Sequence, residues 1–225
     1  LVFLPSSTDA CHPGFEKELR YLDQYLGLRP ADNGEIKKKS PSHFVSFVRR
    51  AKQLSCSFEK DCLWSNLPYD GLLDTSDFWH FSKSDARPWP QQLQPGKLDV
   101  SSGSHFIVAG NTTAESQSAV LLSAPIACQK KNGTLQFEYW LYNYAMLQVM
   151  VVKASRRRNH LQVIQKAQTD CGLYHEAGAP CVVTIPAVHE PFRIAIRAFS
   201  LHDRVIGSMA ILTNIIFKAD ICHKS

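Results

Sequence analysis

The chain has 225 residues, of which 44% are hydrophobic, 20% charged and 10% aromatic. With 11 glycines and 12 prolines, this composition excludes a collagen, a coiled coil and a largely disordered chain. The length fits one large domain or one domain with a small addition. The net charge of +5 is mild. No apolar run reaches the roughly 18 residues that span a bilayer.

The first 55 residues predict a helical extension. An apolar stripe at one-face helical spacing ends before Gly27, which is a suitable C-terminal stop, and Ser40-Pro41 is a suitable helix start before a second stripe. We therefore predict helices over 13–27 and 41–54. Their stripes either pack against a sheet edge or face a partner, and the residues that form them are Phe15, Leu19, Leu22, Leu26, Phe44, Phe47, Val48 and Ala51.

From Cys56 onwards the pattern changes to short strands separated by turn residues. Within 135–142, for example, Leu, Phe, Tyr and Leu alternate with other residues, which is the period of a half-buried strand. Many short strands without long helices predict an antiparallel β-sandwich, here over 56–225. The predicted strands are 105–109, 118–123, 133–142, 146–154, 160–166, 181–185, 192–199 and 208–218.

The cysteines and two glycosylation sequons indicate the compartment. Seven cysteines without any C-x-x-C pair favour an oxidised, secreted domain over a zinc site. The N-T-T at 111–113 and the N-G-T at 132–134 predict N-glycosylation at Asn111 and Asn132. Because the chain begins with Leu1, we interpret it as a secreted chain whose signal peptide is absent.

Six motif-like segments follow one another over about residues 56–222. The first segment, the opening at 56–79, consists of C-S-F-E at 56–59, C-L-W-S-N at 62–66 and D-F-W at 77–79. The others are G-S-H-F-I-V at 103–108, A-V-L-L-S-A-P-I at 119–126, L-Q-F-E-Y at 135–139, F-R-I-A-I at 192–196 and G-S-M-A-I at 207–211, closed by Cys222. In this order the segments resemble the MAM domain, an extracellular module. The resemblance implies a jelly-roll sandwich used outside cells for adhesion or receptor assembly.

The resemblance also implies disulfides. The family's first two cysteines pair, and they correspond to Cys56 and Cys62. Its last cysteine corresponds to Cys222, whose partner in the family directly precedes the L-x-F-x-Y strand. This chain has Thr134 there, and Cys128 is the candidate replacement.

The remaining cysteines leave alternatives open. Cys171 and Cys181 could close a local loop, which leaves Cys11. Cys11 then bridges to a second copy of the chain in a homodimer, pairs within the chain through another connectivity, or stays a free thiol.

No arrangement of residues predicts catalysis. The chain contains no H-E-x-x-H, no G-x-S-x-G and no phosphate-binding glycine loop, so we expect no enzyme and no cofactor. The family's terminal strand often carries two aspartates that help to hold a cation, and both are absent from 209–215. Glu59, Asp61 and Asp77 remain as a weak alternative for calcium.

The expected activity is binding to an extracellular or cell-surface protein, as a secreted ligand, co-receptor component or adhesion module. Trp89 beside Arg87 is either an interface anchor or a loop tryptophan folded onto the sheet, whereas Trp64, Trp79 and His80 are expected to be structural. The alternative function is binding to glycosaminoglycan or another carbohydrate through the basic residues Lys37, Lys38, Lys39, Arg156, Arg157 and Arg158. We expect neither nucleic-acid binding nor membrane insertion.

Overall fold

The structure, a computed structural model, describes residues 47–67, 76–82, 105–111, 117–154, 161–168, 180–202 and 208–222. One short 3-10 helix, Ala51–Leu54, precedes ten strands. The strands are β1 (Trp64–Asn66), β2 (Trp79–Ser82), β3 (His105–Asn111), β4 (Gln117–Ser123), β5 (Gly133–Tyr142), β6 (Met146–Ala154), β7 (Leu161–Gln168), β8 (Cys181–Ile185), β9 (Arg193–Leu201) and β10 (Ser208–Lys218).

The strands form two five-stranded sheets in which every pair is antiparallel. The first sheet has the order β1-β4-β9-β6-β7 and the second has the order β2-β3-β10-β5-β8. Consecutive strands such as β5 and β6 therefore lie in different sheets, and their connection crosses from one layer to the other. The expected antiparallel β-sandwich is confirmed.

The main core lies between the two sheets, as the alternation in β5 predicts. Leu135, Phe137 and Tyr139 of β5 are fully buried and belong to one cluster with Leu147 and Ile196 of the first sheet. Because one side of each strand supplies this core, the intervening side chains lie on the outer faces of the sandwich.

Part of the outer face of the second sheet is also buried. The pairing registers place Trp79, Val108, Ile211 and Trp140 in one row across four strands, and each is no more than 5% exposed. On the β8 side of the same face, Val182 is 56% exposed. The outer face of this sheet is therefore buried on the β2 side and exposed to solvent on the β8 side.

The segment before Cys56 differs from the helix predicted over 41–54. In its described part, Val48 forms a parallel bridge with Ile126, Arg50 has the extended φ of −140°, and only Ala51–Leu54 is helical. The prediction is wrong for residues 47–50, because burial of Val48 in the sandwich core outweighs local helix propensity. The helix predicted over 13–27 lies outside the described residues.

All eight predicted strands are present, with ends that differ by at most two residues. Strands β1 and β2 were not predicted from periodicity, because three or four residues are too short to show a period. Among the described residues, no helix is both long and apolar enough to cross a membrane.

Candidate interaction site

Two disulfides join the pairs that the family resemblance implies. Cys56 is bonded to Cys62 with their Cα atoms 5.8 Å apart, and Cys128 is bonded to Cys222 with their Cα atoms 5.2 Å apart. The backbone N–H of Cys222 also donates to the carbonyl of Cys128, at 2.9 Å. The shift of the third cysteine to position 128 is therefore compatible with the family's last bridge.

Cys181 is disulfide-bonded as well, at the start of β8. Its partner lies outside the described residues, as do both Cys171 and Cys11. The local Cys171–Cys181 bridge and the three alternatives for Cys11 remain predictions.

The acidic residues named for calcium are not gathered into a site. Glu59 and Asp61 are exposed in the loop closed by the Cys56–Cys62 disulfide, and Asp77 is buried just before β2. In the part of the chain that the structure describes, no group of three histidine, cysteine or acidic side chains could hold a metal ion.

The two sequons occupy opposite ends of the sandwich. Asn132 is exposed immediately before β5, and its Oδ1 accepts from the backbone N–H of Ala187 at 3.1 Å. The hydrogen bond does not involve Nδ2, the atom to which an N-linked glycan is attached. Asn111 is the last residue of β3, and its side chain lies outside the described part of the structure.

Most residues named for binding cannot be placed. Trp89 with Arg87, and the clusters at 37–39 and 156–158, lie outside the described residues. Trp64 and Trp79 are each 4% exposed, so their expected structural role is confirmed. The indole N–H of Trp64 donates to the carbonyl of Leu54 at 2.8 Å, which ties β1 to the short helix.

His80 also has structural contacts. Its Nε2 lies 2.8 Å from the carbonyl oxygen of Phe58, and its ring stacks on that of His105 with centroids 5.2 Å apart. Both rings are half-buried, at the rim of the core between the sheets. The contacts with neighbouring backbone and ring are typical of a structural histidine.

Two arginines lie on the outer face of the first sheet. Burial lowers the pKa of the Arg193 guanidinium to about 10, so it remains a cation at neutral pH. The Nη2 of Arg197 donates to Ser118 Oγ at 3.3 Å, and its guanidinium lies 5.3 Å from the ring centroid of Phe199. Arg197 is thus engaged by groups of the same sheet.

The most exposed large hydrophobic side chain of the described residues belongs to Tyr144, at 71%. It lies in the connection that crosses from β5 to β6. Asn143 has φ of 50° and Tyr144 has φ of 69°, so two successive residues adopt the left-handed region. Asparagine tolerates this region, but a bulky residue such as tyrosine rarely adopts it and glycine is favoured.

A second ring adjoins Tyr144. The ring of His202, which follows β9, is stacked with that of Tyr144 at a centroid distance of 6.3 Å and an interplanar angle of 18°. The backbone N–H of His202 donates to the carbonyl of Ser200 at 3.0 Å, and its Nδ1 lies 3.1 Å from the same oxygen. Because a carbonyl only accepts, Nδ1 donates a proton to this contact.

We call Tyr144 and His202 the aromatic pair. It lies at the end of the sandwich where β5 meets β6 and β9 ends, opposite to the two placed disulfides. The residues described there, 142–146, 199–202 and 208–209, include no Asp, Glu, Lys or Arg. The aromatic pair offers two stacked rings and the Tyr144 hydroxyl for contact with a partner.

Sequence reasoning did not find the aromatic pair. The gap between the strands predicted at 133–142 and 146–154 marked the connection, and Asn143 is a typical turn residue. A tyrosine in such a gap could equally turn inward to the core, and contact with His202 depends on a fold that brings residues 58 positions apart together.

Comparison with known families agrees with the fold. The family model of the MAM domain, meprin/A5/mu, matches residues 56–223. The chain therefore belongs to the MAM domain family, as its motifs indicated.

Solved structures are similar only at low identity. The K1 cleaved adhesin domain of Lys-gingipain from Porphyromonas gingivalis W83 is 15% identical, with a TM-score of 0.44, and the match covers 74% of this chain and 98% of that one. The complex of TmCBM61 with beta-1,4-galactotriose is 10% identical, with a TM-score of 0.37, over 70% of this chain and 88% of that one. At these scores the similarities carry no argument about function. Among curated proteins, no sequence matches the chain significantly.

Proposed function

We propose that the chain is an extracellular module that binds other proteins, as a secreted ligand, a co-receptor component or an adhesion protein, without performing a chemical step. The observation that carries the proposal is the match of the MAM domain model to residues 56–223, since this family consists of extracellular binding modules.

The disulfides support the extracellular part of the proposal. Bonds of this kind form and persist in oxidising compartments, and two of them join described parts of the chain. The Cys128–Cys222 bond closes a loop that contains six of the ten described strands, β5 to β10. Secretion and glycosylation at Asn111 and Asn132 are parts of the same proposal.

The experiment uses the full chain, produced in a secretory host, biotinylated and assembled into tetramers. The tetramers are incubated with intact cells of the source organism, either untreated or pretreated with trypsin. We expect saturable binding that trypsin pretreatment removes. Absence of binding, or binding that resists trypsin, would contradict the proposal.

The same cells distinguish glycosaminoglycan binding. Pretreatment with heparinase should leave tetramer binding unchanged, and charge reversal at Arg156, Arg157 and Arg158 should do the same. Loss of binding after either change, together with a steep decrease at raised salt concentration, would favour the polyanion alternative.

A further inference from the structure

The aromatic pair combines exposure with an unfavourable backbone conformation. Tyr144 is 71% exposed, whereas the next most exposed large hydrophobic of the described residues, Val182, is 56% exposed. An exposed tyrosine contributes little to folding, and the left-handed region disfavours it relative to glycine. Residues kept in such conformations are concentrated at functional sites, so both observations indicate a role in binding.

The backbone of the connection presents the ring in a defined position. Asn143 and Tyr144 span the short step from β5 to β6, and the next residue, Ala145, is 1% exposed and anchors the connection in the core. On the other side, the hydrogen bonds to the Ser200 carbonyl hold His202 against the Tyr144 ring. The stacked His202 ring and the anchored backbone restrict the Tyr144 side chain before a partner binds, and such restriction favours affinity.

We infer that Tyr144, supported by His202, is the central anchor of the protein interface, and that the partner is a folded protein with an apolar pocket for the tyrosine ring. This inference rests on the proposed function and specifies its surface.

The chemistry of the partner follows from the atoms at this end of the sandwich. The Tyr144 ring is the most exposed large hydrophobic group of the described residues, so the surface that receives it is an apolar pocket. The Tyr144 hydroxyl can donate a hydrogen bond, so the pocket should offer an acceptor at its base.

A projecting ring fits a protein pocket better than a small sugar. Sites for small ligands are usually concave, whereas this ring lies on a connection at the end of the sandwich with most of its surface exposed. Tyrosine is enriched among the residues that dominate protein interfaces, where it fills a pocket of the partner.

The test compares variants of the full chain in the tetramer assay. Tyr144→Ala should weaken trypsin-sensitive binding by about 30-fold or more, as expected when an interface anchor is truncated. His202→Ala, which removes only the supporting ring, should weaken it by about 2–12-fold. The matched control Val182→Ala removes another exposed apolar side chain, on the outer face of the second sheet, and should change binding by less than about twofold.

A stability measurement tests the conformational part of the inference. Tyr144→Gly and Tyr144→Ala both remove the ring, but only glycine adopts positive φ without steric cost. The glycine variant should therefore melt about 2–4 °C above the alanine variant, although both lose binding. Equal melting temperatures would contradict the strained conformation.

The outcomes separate this inference from the proposed function. If wild-type tetramers bind in a trypsin-sensitive manner and Tyr144→Ala binds equally well, the inference is wrong and the proposed function stands. If binding of the wild type resists trypsin but is lost on periodate oxidation of cell-surface glycans, the partner is a carbohydrate and both are wrong. If the wild type does not bind at all, the proposed function fails and the inference fails with it.

Discussion

At the scale of single residues, Gly133 shows a position where only glycine fits. A Cβ atom added to it would lie 2.8 Å from Cβ of Ala219 and 2.9 Å from the backbone oxygen of Lys218. We therefore expect Gly133→Ala to decrease the free energy of unfolding by about 1–3 kcal/mol, because a backbone atom cannot move aside as a side chain can. Chemical denaturation measures this change.

The control for Gly133→Ala is Thr184→Ala, in the strand paired with the same part of β5 but with its side chain exposed. It should alter the free energy of unfolding by no more than about 0.5 kcal/mol. Equal stability of the two variants would show that the segment around Ala219 adjusts readily.

The second prediction at this scale concerns the glycan at Asn132. In a chain whose other sequon is disabled by Thr113→Ala, Thr134→Val should abolish glycosylation, whereas Thr134→Ser should retain it. Neither change removes the bond from Ala187 to Asn132. Gel mobility before and after endoglycosidase treatment measures the outcome, and identical mobility of the valine variant and its parent would contradict the prediction.

At the scale of elements, a single buried side chain ties the two sheets together. Nδ2 of Asn66, in β1, donates to the carbonyl of Phe78, and Oδ1 of Asn66 accepts from the N–H of Phe78, both at 2.9 Å. Because Phe78 directly precedes β2, these two bonds join an edge strand of each sheet. Asn66→Ala would leave two buried backbone groups without these partners and should cost about 2–4 kcal/mol of unfolding free energy.

The adjacent residue provides the matched control for Asn66. Ser65 is equally buried, but its Oγ has no hydrogen-bond partner in the described structure. Ser65→Ala should therefore leave the free energy of unfolding within about 0.5 kcal/mol of the wild type, or increase it slightly. A loss as large as that of Asn66→Ala would show that burial alone, and not the paired bonds, determines the cost.

At the scale of the whole molecule, the two placed disulfides differ in the length of chain they close. Cys128 and Cys222 are 94 positions apart, whereas Cys56 and Cys62 are 6 apart. Because the longer loop restricts the unfolded chain more, replacing Cys128 and Cys222 by alanine should cost about 4–5 kcal/mol. The same replacement of Cys56 and Cys62 should cost about 2–3 kcal/mol.

Equilibrium unfolding of the two double variants under oxidising conditions tests this order. If the Cys128/Cys222 variant lost less free energy of unfolding than the Cys56/Cys62 variant, residual structure and not loop length would determine the entropy of the unfolded chain. Both variants should retain the sandwich, because the core between the sheets is formed by apolar side chains other than these four cysteines, such as Phe137 and Ile196.

Local patterns along the chain were enough to predict the fold class, most strand positions and the family. Alternation with period two is a local property, so the strand at 133–142 is visible without any tertiary information, and the ordered motifs identified the MAM domain. The two disulfides followed from that resemblance rather than from spacing.

Features that depend on contacts between distant residues are visible only in the tertiary structure. Val48 is extended rather than helical because it enters the sandwich core, and Asn66 is paired with Phe78 because two edge strands meet. Tyr144 became a candidate anchor because its exposure, its positive φ and its contact with His202 all depend on how β5, β6 and β9 end together. A single sequence reports local periodicity and propensity, whereas burial and contact depend on the whole fold.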